Sequence, residues 1–447
     1  MTAAAPDRPV ASDPVVVVGA GPVGLCAAWV LAREGVPVTV LEAASASLTD
    51  WRASTFHAAT MELLDTVGLA EEMLAEGLEV PRYQYRDRRT GVVAEFDMTS
   101  LRDVTRFPFR LQLNQQRLVA MLHRRLAELS NVQMLFDHRV VGASSDKAGA
   151  TLEVQTPAGS THVHAPYVLG ADGAASGVRK ALDIPFEGMT YSQRYLIISV
   201  EEDLREDCVR DLADVCYISD PKEFVFILRT PESWRILFPI PEDESAEDAL
   251  APDGMQSRLR AFHDLGQPYR IIDCQIYNVH QRVADTFRRG RIMLVGDAAH
   301  INSPMGGMGL NSGLHDAFDI SRRLLRLLRG HGDVDVELDA YARKRHHVAV
   351  EYVRADTHRN TEIMSERDPD IRAAHQDALR ATAADPVAAR AWMMRASLLA
   401  PVQEQGIGTA PIPSALDPSP TNEEHPCSSP HTTTTGSASS ARTRLPT

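Results

Sequence analysis

The chain has 447 residues, 44% of them apolar and 24% charged, with a net charge of −14 from 46 Lys and Arg against 60 Asp and Glu. That length allows two or three domains with a sizeable core, and the acidic balance argues against a nucleic-acid partner. The five cysteines (Cys26, Cys208, Cys216, Cys274, Cys427) show neither a CxxC pair nor metal-ligand spacing, so no metal is expected and a reducing cytoplasm suits them.

The opening MTAAAPDRPVASDP has no basic segment followed by an apolar one, so it does not read as a signal peptide. No apolar run approaches the ~20 residues of a spanning helix. The first strong element is a β-branched run, Val15 to Val18, which predicts a buried parallel strand. A glycine turn follows, then an Ala- and Leu-rich helix to about Glu34, ended by Gly35, and PVTVLE as a second strand. Together they predict a β-α-β unit. Helical spacing returns from His57 to Leu69 and in NQQRLVAMLHRRLAEL, with Leu118, Met121, Leu122 and Leu126 on one face. Alternating stretches reach Val163, and YVLGADG reads as another buried strand.

Between Phe186 and Arg282 the pattern changes to short alternating runs such as EFVFILRT and WRILFPIP, which predict an antiparallel sheet. RIMLVGD returns to the buried parallel type, and a long helix is expected from about Gly309 to Leu328. The expected organisation is therefore 14–185 and 285–330 as two parts of one nucleotide-binding domain, 186–284 as a sheet insertion, and 331–403 as a helical region. The remainder, 404–447, is Ser/Thr/Pro-rich and expected to be disordered.

Three segments carry chemistry. GAGPVG sets Gly19, Gly21 and Gly24 in the G-x-G-x-x-G pattern: a tight turn, a close approach for a pyrophosphate, and close helix packing. Glu42, closing the second strand, stands where an acid accepts hydrogen bonds from an adenosine ribose. VLGADGAASGVRKALDI presents Asp172 and Gly173, which is equally readable as a common turn pair. GDAAHINSPMGGMGLNSGLHDA, from Gly296 to Ala317, places Asp297 after an apolar run. As a buried carboxylate it is expected to need partners, and the glycines imply a close approach to the backbone.

These three segments, in this order and at these separations, closely resemble the single-component (group A) FAD-dependent aromatic hydroxylases, the para-hydroxybenzoate-hydroxylase-like monooxygenases. The resemblance covers about residues 14 to 400. It implies an α/β fold: a Rossmann-like FAD-binding domain, an inserted antiparallel-sheet substrate domain and a helical C-terminal region. It also implies FAD as cofactor and NADPH or NADH as donor. By the same resemblance Gly19, Gly21, Gly24 and Glu42 hold the ADP half of FAD. Arg52 and Gln115 lie near the flavin, Asp172 serves both FAD and the donor, and Gly296 and Asp297 face the ribityl chain. Pro304 and the backbone from Met305 to Asn311, including Gly306, Gly307, Gly309 and Leu310, line the isoalloxazine. The helix beginning near Gly309 aims its positive end at the reduced ring.

The implied reaction has NAD(P)H reduce FAD, O₂ add at flavin C4a as a hydroperoxide, and the distal oxygen pass to a phenol or other electron-rich aromatic. Asp172 is assigned to the donor half-reaction, and Pro304, Gly306 and Gly307 to the oxygen half-reaction. Tyr217, Arg235 and Phe238 are candidates to touch the substrate, while His57 and His300 read as structural. Baeyer–Villiger, epoxidising or decarboxylating chemistry on the same scaffold stays open, as does a flavin-binding redox partner without turnover. The lone tryptophan of WRILFPIP argues against a halogenase. Asp319-Ile320 departs from the family's usual Asn-Leu, and the long thioredoxin-like C-terminal domain of the phenol-hydroxylase branch is not expected. A small aromatic and O₂ are the expected partners, a homodimer is compatible with the pattern, and no integral membrane segment is expected.

Overall fold

The computed structural model describes residues 13–47, 51, 53–207 and 211–407. Arg52, Cys208, Cys427 and nearly all of the expected disordered tail lie outside the described residues.

Val15–Val18 is buried along its whole length at the heart of a six-stranded sheet. Four β-branched residues on both faces of a strand need cover on both sides, which a parallel sheet supplies. It pairs in parallel with Val38–Leu41 on one side and Val168–Gly170 on the other. Val132–Leu135 and Ile292–Leu294 extend the sheet in parallel, and Arg288–Arg289 closes it antiparallel. The strand ends bearing Gly19, Ala171 and Val295 therefore lie side by side at one edge. Chain segments nearly 280 residues apart in sequence meet there, which is where doubly wound folds place their ligands.

The helix after the first turn is Pro22–Ala32, starting on a proline suited to that position. It stops two residues short of the expected Glu34, and Gly35 takes φ +82 to turn the chain. The helical stretch expected from His57 is broken: Ala58–Asp65 and Ala70–Glu76 are separate helices, with Gly68 at φ +72 between them. Gln115–Ala127 forms as the apolar spacing predicts, burying Leu118, Met121, Leu122 and Leu126.

The second large sheet has eight strands. Five come from the region of alternating runs: Phe186–Val200, Val215–Ser219, Val225–Arg229, Trp234–Ile240 and Ile271–Ala284. Arg82–Asp87 and Gly91–Asp97 join at one edge and His300–Ile301 at the other. Arg82–Asp87 pairs in parallel with Val215–Ser219, so this sheet draws on the chain before the alternating region as well. Its faces differ. Leu196, Ile198, Ile236 and Phe238 enter a separate apolar cluster with Trp234 and Leu259, while Ile197, Leu237 and Arg235 face the main body. Strand alternation requires that split.

After the Met308–Leu328 helix, Val334–Val348, a six-residue π-helical turn Ala349–Arg354, and Ala355–Ser365 form one helical run. Tyr341 donates to the Leu294 carbonyl at 2.7 Å, pinning this run to the parallel sheet. Among the described residues no helix is long and apolar enough to cross a membrane, and no cluster of three or more His, Cys, Asp or Glu could hold a metal.

Candidate active site

A cavity of about 1510 Å³ runs from the ends of the parallel strands to the underside of the eight-stranded sheet. Pockets for a single drug-sized ligand are usually ~300–1,000 Å³, so this one has room for a dinucleotide and a second molecule.

At its first end the three glycines play distinct parts. Gly19 is at φ +106, and a Cβ there would lie 2.4 Å from the Ala171 carbonyl oxygen. A Cβ on Gly24 would lie 2.1 Å from the Gly19 oxygen, so helix and strand pack in backbone contact. A Cβ on Gly21 would meet nothing within 4 Å, because this residue faces the cavity. Gly21 caps the Pro22–Ala32 helix without a side-chain hydrogen bond, which leaves first-turn amides for an anion. Glu42 lines the cavity and is fixed from behind: its carboxylate accepts from the amides of Ala20 (2.7 Å) and Ala44 (2.8 Å). Each oxygen retains a lone pair for a hydroxyl.

Asp172 also lines the cavity, yet its oxygens accept from Ser176 Oγ at 2.5 Å and the Val178 amide at 3.0 Å. Its first duty is to hold the turn into the Gly177–Ala181 helix, the bland reading of Asp-Gly, with one edge turned to the cavity.

In the third segment Asp297 is exposed into the cavity, not buried as its apolar lead-in suggested. The short turn Gly296–Ala298 swings the side chain out. The buried carboxylate is Asp316, one helix inward. It accepts from Arg345 Nε (2.5 Å), His300 Nε2 (2.8 Å) and the Gly296 amide (3.0 Å), at 0% exposure. Burial alone would raise this carboxyl, but Arg345 and His300 outweigh it and hold it below the ordinary carboxylate range.

Pro304, Gly306, Gly307, Gly309 and Leu310 line the cavity. Gly306 and Gly307 take φ +110 and +65, and Gly307 starts the Met308–Leu328 helix with no side-chain cap. Free amides thus face the cavity where the resemblance puts the flavin ring. Behind this loop Asn311 Oδ1 accepts from the His57 amide (2.8 Å) and Thr60 Oγ1 (2.7 Å), and its Nδ2 donates to Thr55 O and Gly307 O. His57 Nε2 lies 2.8 Å from the Gly306 carbonyl, and His315 Nε2 lies 2.9 Å from Thr60 Oγ1. Burial, with Arg110 nearby, pushes His57 down to about 3; burial, with Arg345, does the same to His315. Both rings are therefore neutral, and His57 donates from Nε2 to the carbonyl.

The structure thus corrects three expectations. Gly296 and Asn311 do not line the cavity; they brace the residues that do, because their polar groups are engaged from behind. Phe238 is fully buried on the opposite face of its sheet, one residue out of phase with the cavity-facing Leu237. Gln115, Tyr217 and Arg235 do line the cavity.

Missed altogether was Arg110, at the start of the Arg110–Gln112 strand, which lines the chamber beneath the sheet. A cation set between the apolar residues Phe109 and Leu111 was its available signal. The Asp316–His300–Arg345 cluster left a fainter one, since its members lie on three different elements.

The cradle fits a flavin dinucleotide: an open glycine at a bare helix start, a fixed acid near the strand end, and a second bare helix start across the cavity. That defines an FAD-type dinucleotide-binding protein with a second chamber. A model of the FAD binding domain family matches residues 12–356. The sequence is 32% identical over 363 residues to the para-nitrophenol 4-monooxygenase of Pseudomonas sp. (strain WBC-3), covering 80% of this chain and 88% of the relative. It is 31% identical to 6-hydroxy-3-succinoylpyridine 3-monooxygenase HspB of Pseudomonas putida, over 76% of this chain and 86% of that one. The crystal structure of p-nitrophenol 4-monooxygenase PnpA from Pseudomonas putida DLL-E4 superposes with a TM-score of 0.79 at 30% identity, covering 86% of this chain and 98% of that one. The chain belongs to the group A FAD-dependent aromatic hydroxylases, with FAD as its cofactor.

Proposed function

We propose that this chain uses NAD(P)H and O₂ to hydroxylate a phenol. The observation that carries the reading is the continuity of the cavity. The FAD cradle opens, past Pro304 and the glycine loop, into a chamber walled by Ile197, Phe226, Leu228 and Leu237, with Tyr217 and Arg235 set among them. Bound FAD supplies electron transfer from the donor and activation of oxygen.

The chain's own groups do the rest. Gly21 and the Pro22–Ala32 amides take the pyrophosphate, Glu42 the ribose hydroxyls, and Asp297 a ribityl hydroxyl. Gln115, at a helix start beside Ala53, flanks the flavin. Pro304, Gly306 and Gly307 let the ring lie against backbone, and the uncapped Met308–Leu328 helix offers its positive end to negative charge there. The apolar walls exclude water that would compete for reactive oxygen. Arg235, 3% exposed, is held by Trp51 O, Ser54 Oγ and Asn114 Oδ1, and its Nε has no hydrogen-bond partner. Held in this way, Arg235 sets a fixed polar edge in the otherwise apolar wall.

The thiols that are free among the described residues, Cys26, Cys216 and Cys274, and the need for NAD(P)H support a cytoplasmic site of action. Light scattering of the purified chain decides between monomer and homodimer. The deciding assay follows NADH and NADPH oxidation by the flavin-loaded protein against a panel of phenols. The expected result is one phenol that accelerates donor oxidation and gains an oxygen atom from O₂. Donor oxidation that yields only peroxide with every phenol sinks the reading, and an oxygen-inserted ketone product would favour Baeyer–Villiger chemistry instead.

A further inference from the structure

Among the described residues five arginines are almost fully buried, and four are well supplied with oxygen partners. Arg345 has a carboxylate, Arg179 has the carbonyls of Ala298 and Ala174, and Arg86 has Gln84 Oε1 and Asp211 O. Arg235 has the three oxygens named above. Arg110, 4% exposed, has one protein partner among the described residues: its Nη1 donates to Tyr217 Oη at 3.2 Å. Its guanidinium lies 3.9 Å from the centre of the Tyr83 ring, and Tyr217 stacks on Tyr85 with ring centres 4.8 Å apart. The charge sits in an aromatic box with no carboxylate in it.

Burial raises the phenols of Tyr83 and Tyr85 above the ordinary tyrosine value, so neither supplies a counter-charge at neutral pH. A buried guanidinium with most of its five donors unused is costly. One side of Arg110 remains open, and that side is the cavity wall.

We infer that the Arg110–Tyr217 corner is the site that receives the oxygen of the aromatic substrate, and that it binds this substrate as its phenolate. The inference rests on the phenol-hydroxylase reading and sharpens it. A guanidinium fork beside a phenol hydroxyl gives two donors converging on one anionic oxygen, and the aromatic box packs the ring that carries it. An ionised oxygen pushes electron density into the ring, so the same contact that binds the substrate makes its carbon a better acceptor of electrophilic oxygen. Arg110 is then a specificity-determining residue that touches the substrate, and it sets the protonation state in which the ring meets the flavin.

The test uses the oxidised, FAD-loaded protein with no donor present, so it does not depend on turnover. 4-Nitrophenol is the probe, because its anion absorbs in the visible and its ionisation in the bound state is read directly. The expected result in the wild type is a bound-state pKa at least about one unit below that of the free probe, as an adjacent cation produces. In Arg110→Met this shift is lost and affinity falls on the order of ten- to a hundred-fold, with flavin content unchanged. If Arg110→Met does not retain flavin, Arg110→Lys, which keeps the charge without the fork, is compared with the wild type and shows an intermediate shift. Equal ionisation in variant and wild type overturns the inference. So does 4-nitroanisole, which has the nitro group but no ionisable hydroxyl, if it binds as tightly and loses as much affinity on substitution. Failure here with productive turnover in the donor assay would remove Arg110 as the phenolate site and leave the hydroxylase reading standing.

Discussion

Arg345 and Arg110 are both buried guanidiniums in one protein, 1% and 4% exposed, and their circumstances are opposite. Arg345 sits behind the Pro304–Gly307 loop, where it donates to Asp316 and Ser312 while His300 lies on the other Asp316 oxygen. Arg110 sits at the cavity wall between Tyr83 and Tyr217, and no acid pairs with it among the described residues. Behind the loop the buried cation has a carboxylate of its own. At the cavity wall the buried cation is met by a phenol hydroxyl and an aromatic face instead.

The sharpest way to break this comparison is to remove each guanidinium in turn. Arg345→Met leaves the buried Asp316 carboxylate without its guanidinium, and should destabilise the protein by about 3 kcal/mol in urea denaturation. Arg110→Met removes an uncompensated charge and should leave stability within about 1 kcal/mol of the wild type. Equal losses would mean that Arg110 is as structurally committed as Arg345, and the contrast would fall.

A second test concerns the histidines behind the loop. In the folded protein His57 and His315 sit at about 3, while the unfolded chain titrates near the ordinary 6.5. Below 6.5 the unfolded state binds protons that the folded state refuses. Stability is therefore complete above that pH and drains away as the pH falls toward 3. Each residue contributes a slope of up to about 1.4 kcal/mol per pH unit. The double substitution His57→Gln, His315→Gln should flatten the dependence between pH 6 and 4. An unchanged slope would place the protonation elsewhere.

The smallest structural effect belongs to Gly21→Ala. Its backbone, at φ −75, suits alanine, and no protein atom obstructs the methyl group. Stability should stay within about 1 kcal/mol of the wild type, while flavin retention, read from the visible absorbance of the purified protein, should drop sharply. Gly24→Ala, aimed at the Gly19 oxygen, should instead impair folding itself. Retained flavin in Gly21→Ala would mean that the cofactor lies away from this glycine.

The same contrast explains what could be read from the amino-acid string. The glycine end is written locally: glycines at fixed spacing beside β-branched strands state their backbone geometry directly, and Gly19, Gly21, Glu42 and the Pro304 loop, singled out on that ground, line one cavity. The chamber is written in strand phase and in contacts across the chain. Leu237 and Phe238 are neighbours in sequence, yet they face different cores, and no pattern in WRILFPIP announces which faces the cavity. Arg110 meets Tyr217 across 107 residues, and no local rule links them. Asp297 misled for a related reason, since the apolar run before it predicted burial and a three-residue turn undid it.

The contacts behind the oxygen-half loop also bear on how the protein is made. Ser303 Oγ lies 2.8 Å from Thr361 Oγ1, Asn360 Nδ2 donates to the Met305 carbonyl, and Gln281 reaches the Arg354 carbonyl and Thr357. The glycine turn that greets the pyrophosphate leaves the ribosome early, whereas the loop that faces the ring cannot be braced until the segment through Thr361 has cleared the exit tunnel. A nascent chain stalled before that point would carry the Gly19–Gly24 turn without the contacts that brace the Pro304–Gly307 loop.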